Sequence, residues 1–334
     1  MFFFIGIQLI SVITVNSFII NTKIETAGDF TQVINSLIVS LSFITGILKL
    51  MILHFTSGKF KAMVDFLESF PSDGIVFPTR KKFLIYSVCN LTTISSWLIY
   101  GIVTKGWPWD ADFAWDKTTP TGHCLGITLQ IVSSLPGGTT HLMIDSVLGA
   151  AVERLRPQIK NLKNVYYRIG PNLKENKLII KEAVELHNAI QRSVYLINNA
   201  FSLMFMFQVI SLAPLICINA FVITKIGDVR YILTSVLPMS LCVCGQVYMF
   251  FGSGQLLATE MENMDHVCYD NEWYLAPVQT RRELTIIMEC SRKQLSINAY
   301  GVAFANNVNL LAVVQQGYSY FLFLHTMADI IDSY

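Results

Sequence analysis

One long segment near the end of the chain carries no charged residue. Residues 294–328 contain no Asp, Glu, Lys or Arg, and as a helix 302–324 would be about 35 Å long, enough to cross a bilayer. The segment is also half polar, because Asn306, Asn309 and Gln316 fall on one helical face. Lipid cannot pair amide groups, so this face must contact protein or water. We therefore predict a spanning helix that lines a path or an interface.

The composition of the whole chain indicates a membrane protein. Of its 334 residues, 53% are hydrophobic and only 14% are charged, too few charges to cover a water-soluble globule. The net charge of +1 gives no indication of a nucleic-acid partner. The seven cysteines are scattered without a disulfide or metal-binding spacing. Nucleotide-binding and hydrolase motifs are absent from the sequence, so we expect neither an enzyme nor a bound cofactor.

Apolar stretches divide the chain into seven predicted spans. They cover residues 1–20, 30–55, 83–103, 123–150, 194–224, 231–258 and the final run. We therefore predict an all-α polytopic membrane protein with seven transmembrane helices.

Lys and Arg are distributed unevenly between the two sets of loops. The loops after the second, fourth and sixth spans hold 18 of these residues, and the opposite loops hold 5. Because positive charge is retained in the cytoplasm, this bias places the N-terminus inside and the C-terminus outside. The predicted topology is the reverse of that of a G-protein-coupled receptor.

The cytoplasmic side is predicted to be helical. Between the fourth and fifth spans, Leu155, Ile159, Leu162 and Val165 recur at helical spacing. A second helix is predicted over 278–299. We divide the chain into 1–265 (six spans with a ligand pocket and cytoplasmic extensions), 266–300 (a cytoplasmic anchor), 301–326 (the final helix) and 327–334 (an extracellular tail).

Charged residues, a proline and tryptophans in or beside the spans are interpreted as structural features. Lys49 and Asp145 lie near the cytoplasmic ends of spans, where snorkelling explains them as well as a functional role does. Pro136 with the two following glycines is expected to interrupt the fourth span near mid-membrane. Trp107 and Trp109 are interpreted as part of the aromatic belt at the membrane surface.

Several short motifs occur in the order seen in a known family. They are Tyr318-Ser319-Tyr320-Phe321 in the final helix, Tyr269 with Trp273-Tyr274 before the penultimate helix, and His187-Asn188-Ala189-Ile190 leading into Phe201-Ser202-Leu203 and Gln208. With the inverted topology, the chain resembles the insect odorant receptors along nearly its whole length. It departs from them by lacking a cytoplasmic N-terminal segment of the family and by carrying a longer C-terminal tail.

The resemblance implies an odorant-gated, non-selective cation channel subunit. It would act in the plasma membrane of a sensory neuron, within a heterotetramer with the shared co-receptor subunit. In the family the last helix lines the pore, and the motif alignment places the constriction at Phe323 with Thr326 one turn further out. The expected pore residues are Asn309, Val313, Gln316, Tyr320, Phe323 and Thr326. The expected subunit anchor comprises Trp273, Tyr274, Leu284 and Ile287.

The resemblance also implies a pocket for a small volatile ligand between the outer halves of the second to sixth spans. Ring surface at the end of the third span faces apolar residues of the second and fourth. The expected ligand-binding residues are Phe30, Ile34, Leu37, Ile94, Trp97, Leu98, Tyr100, Leu129 and Val132. Lipid is the other expected partner.

Other functional classes stay open from the sequence. A G-protein-coupled receptor would need the N-terminus outside and the basic loops on the opposite side. A gustatory-type ligand-gated channel shares the topology but usually carries a Thr-Tyr and Gln-Phe signature in the last helix, which is absent here. A secondary transporter is the third alternative, although no repeat of spans is visible.

Overall fold

The computed structural model describes most of the chain as long helices. The described residues are 2–24, 27–70, 77–104, 107, 109–116, 118–225, 229–262, 264–270, 273–292 and 295–333. The helices are α1 Phe2–Asn21, α2 Ala27–Phe55, α3 Ser57–Glu68, α4 Phe77–Thr104, α5 Pro120–Tyr167, α6 Leu173–Lys225, α7 Val229–Tyr231, α8 Leu237–Met261, α9 Met264–Tyr269, α10 Val278–Ser291 and α11 Asn307–Ser333. A π-helical segment, Ile232–Val236, joins α7 to α8. The all-α prediction is confirmed, apart from one small hairpin.

The seven predicted spans correspond to α1, α2, α4, α5, α6, α8 and α11. Within the described residues, three helical stretches are long and apolar enough to cross a membrane, judged by length and composition alone. They are Gln32–Phe55, Lys174–Lys225 and Ile232–Leu275. The other spans are shorter there or carry more polar residues. Their polar residues must find partners within the protein, and this requirement shapes the site described below.

The two longest helices extend the bundle at the end that holds α10. Helix α5 has 48 residues and α6 has 53. The turn between them is closed by the Asn176 side chain, which donates to the Gly170 carbonyl at 2.6 Å and accepts from its N–H at 3.1 Å. Leu155, Ile159 and Leu162 are buried, as their spacing predicts. The predicted helical extension is therefore confirmed.

Helix α3 was not predicted from the sequence. Its Phe60 ring packs edge-on against Phe201 of α6, with the ring centroids 4.8 Å apart. Arg154 of α5 donates to the carbonyls of Leu67 and Phe70 at 3.1 and 3.0 Å. Because the last carbonyls of a helix lack partners within it, this arginine caps the end of α3 and ties it to α5.

A β-hairpin precedes the final helix and shifts its start. Strand β1, Asn298–Ala299, pairs with β2, Ala303–Phe304, so the helix predicted over 278–299 ends at Ser291 and α11 begins at Asn307. Gly301 has φ +78° at the turn, a conformation that favours glycine. Asn198 and Ser202 of α6 hold the hairpin through hydrogen bonds to backbone atoms of 296 and 298.

The C-terminal residues continue the final helix. Residues 327–333 were predicted to form a tail, but they are the last turns of α11. At the other end, the Asn306 side chain accepts a hydrogen bond from the Asn309 N–H at 2.9 Å. Asn306 therefore caps the helix instead of lying within its face.

The predicted break at Pro136 is absent. Helix α5 runs continuously from Pro120 to Tyr167. The Thr139 hydroxyl donates to the Leu135 carbonyl at 2.8 Å, and the Thr140 hydroxyl donates to the Pro136 carbonyl at 2.6 Å. Both hydroxyls thus find partners within their own helix, as polar groups in a span must.

Lys49 and Asp145 form an ion pair inside the bundle. The Lys49 Nζ lies 2.8 Å from the Asp145 Oδ1, and the exposed fractions of the two side chains are 2% and 0%. The Lys49 ammonium also lies 5.7 Å from the centre of the Phe250 ring. The snorkelling interpretation is therefore wrong for both residues, because neither charge reaches the end of its span. The pair joins α2 to α5.

This pair predicts a non-additive effect on stability. Asp145→Leu leaves the Lys49 charge buried without a partner and should destabilise the fold by about 3–5 kcal/mol. The double variant Lys49→Met with Asp145→Leu removes both charges and should recover most of that loss. Thermal unfolding of the purified protein in detergent measures both changes. If the double variant unfolds at a lower temperature than the single variant, the pair is not what holds these helices.

Candidate ligand cavity and pore face

A cavity lies between α2, α4, α5, α6 and α8. Its volume is about 80 Å³, well below the roughly 300–1,000 Å³ typical of pockets for drug-sized ligands, so it suits a small molecule. Its apolar lining consists of Val39, Phe43, Ile94, Leu215, Met239 and Val243. Its polar side chains are Ser42, Thr45, Asn90, Thr93, Ser134, His141 and Gln246.

The two glycines after Pro136 bring side chains of other helices close to α5. A Cβ at Gly138 would lie 2.4 Å from the Asn90 Oδ1 of α4, and a Cβ at Gly137 would lie 3.1 Å from the Gln8 Nε2 of α1. Since real Cβ atoms do not approach other atoms as closely as 2.4 Å, Gly138 is what lets the Asn90 amide lie against the helix. The glycines thus help to form the wall of the cavity.

His141 belongs to the polar end of the cavity. It is buried, and Asp145 lies one turn further along the same helix. The His141 Nδ1 has no hydrogen-bond partner among the described atoms. The ion pair of Asp145 with Lys49 lies beyond this end and does not line the cavity.

An ordered loop folds into the bundle near the opposite end of the cavity. The Trp109 side chain is 1% exposed, and its ring lies 5.8 Å from that of Phe43, which lines the cavity. Gln130 donates to the Trp109 carbonyl at 2.7 Å, and the Asp112 N–H donates to the Thr14 carbonyl at 2.9 Å. The aromatic-belt interpretation is therefore wrong for Trp109, which plugs the bundle next to the cavity.

Among the expected ligand-binding residues with described side chains, Ile94 lines this cavity. Phe30 packs edge-on against Phe221 of α6, and Ile34 and Leu37 belong to the same apolar cluster near Trp109. The structure brings these three together but outside the cavity lining. Leu129 is half-buried and Val132 is 41% exposed. The side chains of Trp97, Leu98 and Tyr100 lie outside the described part of the structure.

The final helix packs against α6 along one stripe. Gly317 allows the close approach, since a Cβ there would lie 3.1 Å from the Ala213 carbonyl oxygen. Val313 and Ala328 are buried on the same side. Of the expected pore residues, Val313 thus faces the interior of its own chain. The Asn309 side chain is half-buried and donates to the Phe304 carbonyl at 3.0 Å.

The opposite side of α11 is uncovered in the single chain. Phe323 on this side is 64% exposed. Three other expected pore residues are exposed there as well: Gln316, Tyr320 and Thr326. These four residues mix an amide, a phenol and a hydroxyl with one large apolar ring. Together they form what we call the open face of α11.

Ionic contacts tie the end of α11 to the end of α6. The Lys225 Nζ lies 2.6 Å from the Asp329 Oδ1, and the His325 Nδ1 lies 3.0 Å from the Asp329 Oδ2. The hydrogen bond from Lys225 holds the pKa of Asp329 below its usual value. Asp329 is therefore ionised at neutral pH and compensated by Lys225.

The expected anchor residues divide between buried and exposed positions. Leu284 and Ile287 are buried within the chain, where they support α10 from inside. Trp273 is half-buried and lies 5.3 Å from the Tyr269 ring. Tyr274 is 61% exposed. The neighbouring Leu275, Val278 and Ile286 are also exposed.

Sequence reasoning missed most of the polar cavity residues. Neither Asn90 nor His141 was among the expected ligand-binding residues. The available signal was the spacing of polar residues inside apolar spans, as in Ser134 and His141, which share one face of α5. Polar residues in a span face the protein interior, and this rule applied to each span in turn indicates the cavity.

Comparison with known proteins identifies the family. The family model described as 7tm Odorant receptor matches residues 29–316. The chain belongs to this family. The prediction from the sequence motifs is therefore confirmed, and the all-α, seven-span architecture is that of an odorant receptor.

Individual members of the family are only distantly similar. Odorant receptor 85b of Drosophila melanogaster is 22% identical over 73% of this chain. The odorant receptor coreceptor of Harpegnathos saltator is 23% identical over 39% of this chain and 28% of its own length. The chain spans 63% of the length of Odorant receptor 85b and 66% of that of Odorant receptor 85c.

Solved structures show the same fold. The olfactory receptor OR5 from Machilis hrabei in complex with eugenol superposes with a TM-score of 0.86 at 14% identity, covering 97% of this chain and 88% of the other. The structure of the same receptor described without eugenol gives a TM-score of 0.80. These likenesses support the arrangement of the helices.

The plug at Trp109 predicts a difference between two tryptophans of the same loop. Trp109→Ala removes a completely buried ring and should destabilise the protein by about 3–5 kcal/mol. Trp115 is 37% exposed, so Trp115→Ala serves as the control and should cost clearly less. Thermal unfolding of the two purified variants provides the comparison. Equal losses would show that Trp109 does not plug the bundle.

Proposed function

We propose that this chain is a subunit of an odorant-gated, non-selective cation channel in the plasma membrane of sensory neurons. The observation that carries the proposal is the open face of α11. A spanning helix that packs on one side and presents Gln316, Tyr320 and Phe323 on the other needs protein or water there, since lipid leaves the amide unpaired. A central pore shared between subunits provides both protein and water next to this face.

The pore proposal assigns different roles to the open-face residues. A ring of apolar side chains closes a pore by expelling water, and a nearby amide or hydroxyl eases ion passage once it opens. Phe323 supplies the apolar ring in this scheme. Gln316 and Thr326 supply the polar groups on either side of it.

The cavity is proposed as the odorant site. Helix α6 connects the cavity with α11, the proposed pore helix. Leu215 of α6 lines the cavity, and the adjacent Ile216 contacts Gly317 of α11. Ligand in the cavity therefore bears on the same turn of α6 that supports α11. A ligand that binds the open arrangement of these helices more tightly than the closed one shifts the channel toward opening.

The proposed partner is the odorant co-receptor, in a heterotetramer. The similarity to the Harpegnathos coreceptor supports a shared fold, and subunits of one fold can surround one pore. At the α10 end, Tyr274, Val278 and Ile286 form an exposed apolar surface next to the buried Leu284. We propose this surface, supported from within by Leu284 and Ile287, as the subunit anchor.

The proposed orientation predicts which loops can be glycosylated. Asp116→Asn completes an Asn-x-Thr sequon with Thr118, and Lys174→Thr completes one with Asn172. All four residues are exposed in the structure, so the sites are matched. With the N-terminus inside, only the first variant should gain a glycan, seen as a glycosidase-sensitive shift on a gel. A glycan on the Lys174→Thr variant alone would contradict this topology and support a G-protein-coupled receptor.

The pore proposal is tested on the open face. Co-expressed with the co-receptor, Phe323→Ala should raise the basal current or change relative cation permeability, and Gln316→Leu should change the conductance. The order of odorant potencies should stay unchanged, because neither residue lines the cavity. Val314→Ala is the control, since Val314 is also exposed but points about 120° or more around the helix from each open-face residue. Wild-type currents from both test variants at normal surface levels would remove this face from the conduction path.

A further inference from the structure

The first two turns of α11 are loosely packed against the rest of the chain. Within residues 307–312, all of which the structure describes, every side chain is exposed or half-buried, and Val313 is the first buried residue of the helix. Burial of apolar surface therefore contributes little to fixing this end of α11. Its position depends on hydrogen bonds and on the β-hairpin that precedes it.

One side-chain amide of α6 binds the hairpin as a neighbouring strand would. The Asn198 Nδ2 donates to the Ser296 carbonyl at 2.9 Å, and the Asn198 Oδ1 accepts from the Asn298 N–H at 3.0 Å. Ser202, one turn further along α6, donates its hydroxyl proton to the Asn298 carbonyl at 2.8 Å. The two side chains thus pair with three backbone groups at the start of the hairpin.

The hairpin passes this attachment on to the start of α11. Beyond its second strand, the Ala305 N–H donates to the Ile297 carbonyl at 2.9 Å. Gly254 of α8 packs so closely here that a Cβ would collide with the Ala305 carbonyl oxygen. The Gln255 Oε1 of α8 then accepts a hydrogen bond from the Asn307 N–H at 3.1 Å. Helices α6 and α8 therefore hold the first residue of α11 through the hairpin.

The direction of α11 at its start decides where its far half lies. At about 1.5 Å per residue, Phe323 lies about 24 Å along the helix from Asn307. A tilt of about 5° at Asn307 would therefore move Phe323 by about 2 Å, more than the radius of a water molecule, about 1.4 Å. The width of a constriction at Phe323 thus depends on how firmly the start of the helix is held.

We infer that Asn198 is a positioning residue for the pore. Through the hairpin it fixes the direction of α11, and with it the width of the constriction at Phe323. The inference rests on the proposed function in taking α11 as the pore helix. It adds to that function a residue of α6 that belongs neither to the open face of α11 nor to the cavity lining.

Amide hydrogen exchange of the purified full chain tests the attachment without requiring a current. Asn198→Asp keeps the shape of the side chain and the acceptor for the Asn298 N–H, but a carboxylate cannot donate to the Ser296 carbonyl. Exchange over residues 297–312 should become about tenfold faster, the effect of one net hydrogen bond on a local opening. Asn199→Asp is the matched control, because Asn199 is exposed on the same turn of α6, and it should leave this exchange unchanged.

Recordings with the co-receptor test the effect on the pore. Asn198→Asp should raise the basal current per receptor at the cell surface at least about threefold, because a loosely held α11 closes the constriction less completely. Asn199→Asp should match the wild type. If Asn198→Asp does not fold, Ser202→Ala, which removes one of the three hydrogen bonds to the hairpin, should change exchange and basal current in the same direction.

Two results overturn the inference. Unchanged exchange over residues 297–312 in the variant that folds shows that the contact does not hold the start of α11. Faster exchange with a wild-type basal current shows that the contact serves the fold alone. A wild-type chain that reaches the surface with the co-receptor and passes no current, basal or odorant-evoked, contradicts the channel function instead, and the exchange result then decides the attachment by itself.

Discussion

The absence of water from the bilayer interior is the constraint on which the structure depends. A polar group in a span must find its partner within the protein. Lys49 finds Asp145, and the serine and threonine hydroxyls of the cavity lining donate to helix carbonyls. Gly138 lets the Asn90 amide reach α5. Because hydroxyls paired with helix carbonyls and the Asn90 amide surround a small space, the bundle keeps a cavity with polar groups in its lining.

Helix α6 connects the regions that the proposed function requires. It runs without interruption from the end that holds α10 to Lys225, which pairs with Asp329 of α11. Along this path Phe201 packs with α3, Leu215 lines the cavity and Ile216 supports α11. A ligand at the proposed site beside Leu215 would therefore act on the turn of α6 that supports α11. The buried stripe of α11 supplies the contact, and its open face supplies the proposed pore.

The sequence was sufficient for the elements whose signal is local. Apolar length predicts the spans, and the spacing of Leu155, Ile159 and Leu162 predicts the extension of α5. It was insufficient where a distant partner decides the structure. Snorkelling was a reasonable interpretation of Lys49 only because its partner lies 96 positions away. Likewise, nothing near Trp109 in the sequence shows that its loop folds into the bundle.

A cryo-electron microscopy map of this chain assembled with the co-receptor, in the presence of an activating odorant, tests the account most directly. The account predicts that the open face of α11 lies on a central axis, with Phe323 at the narrowest point. It also predicts ligand density in the cavity beside His141. A map in which this face of α11 contacts lipid, with the central axis formed by other helices, would contradict the account.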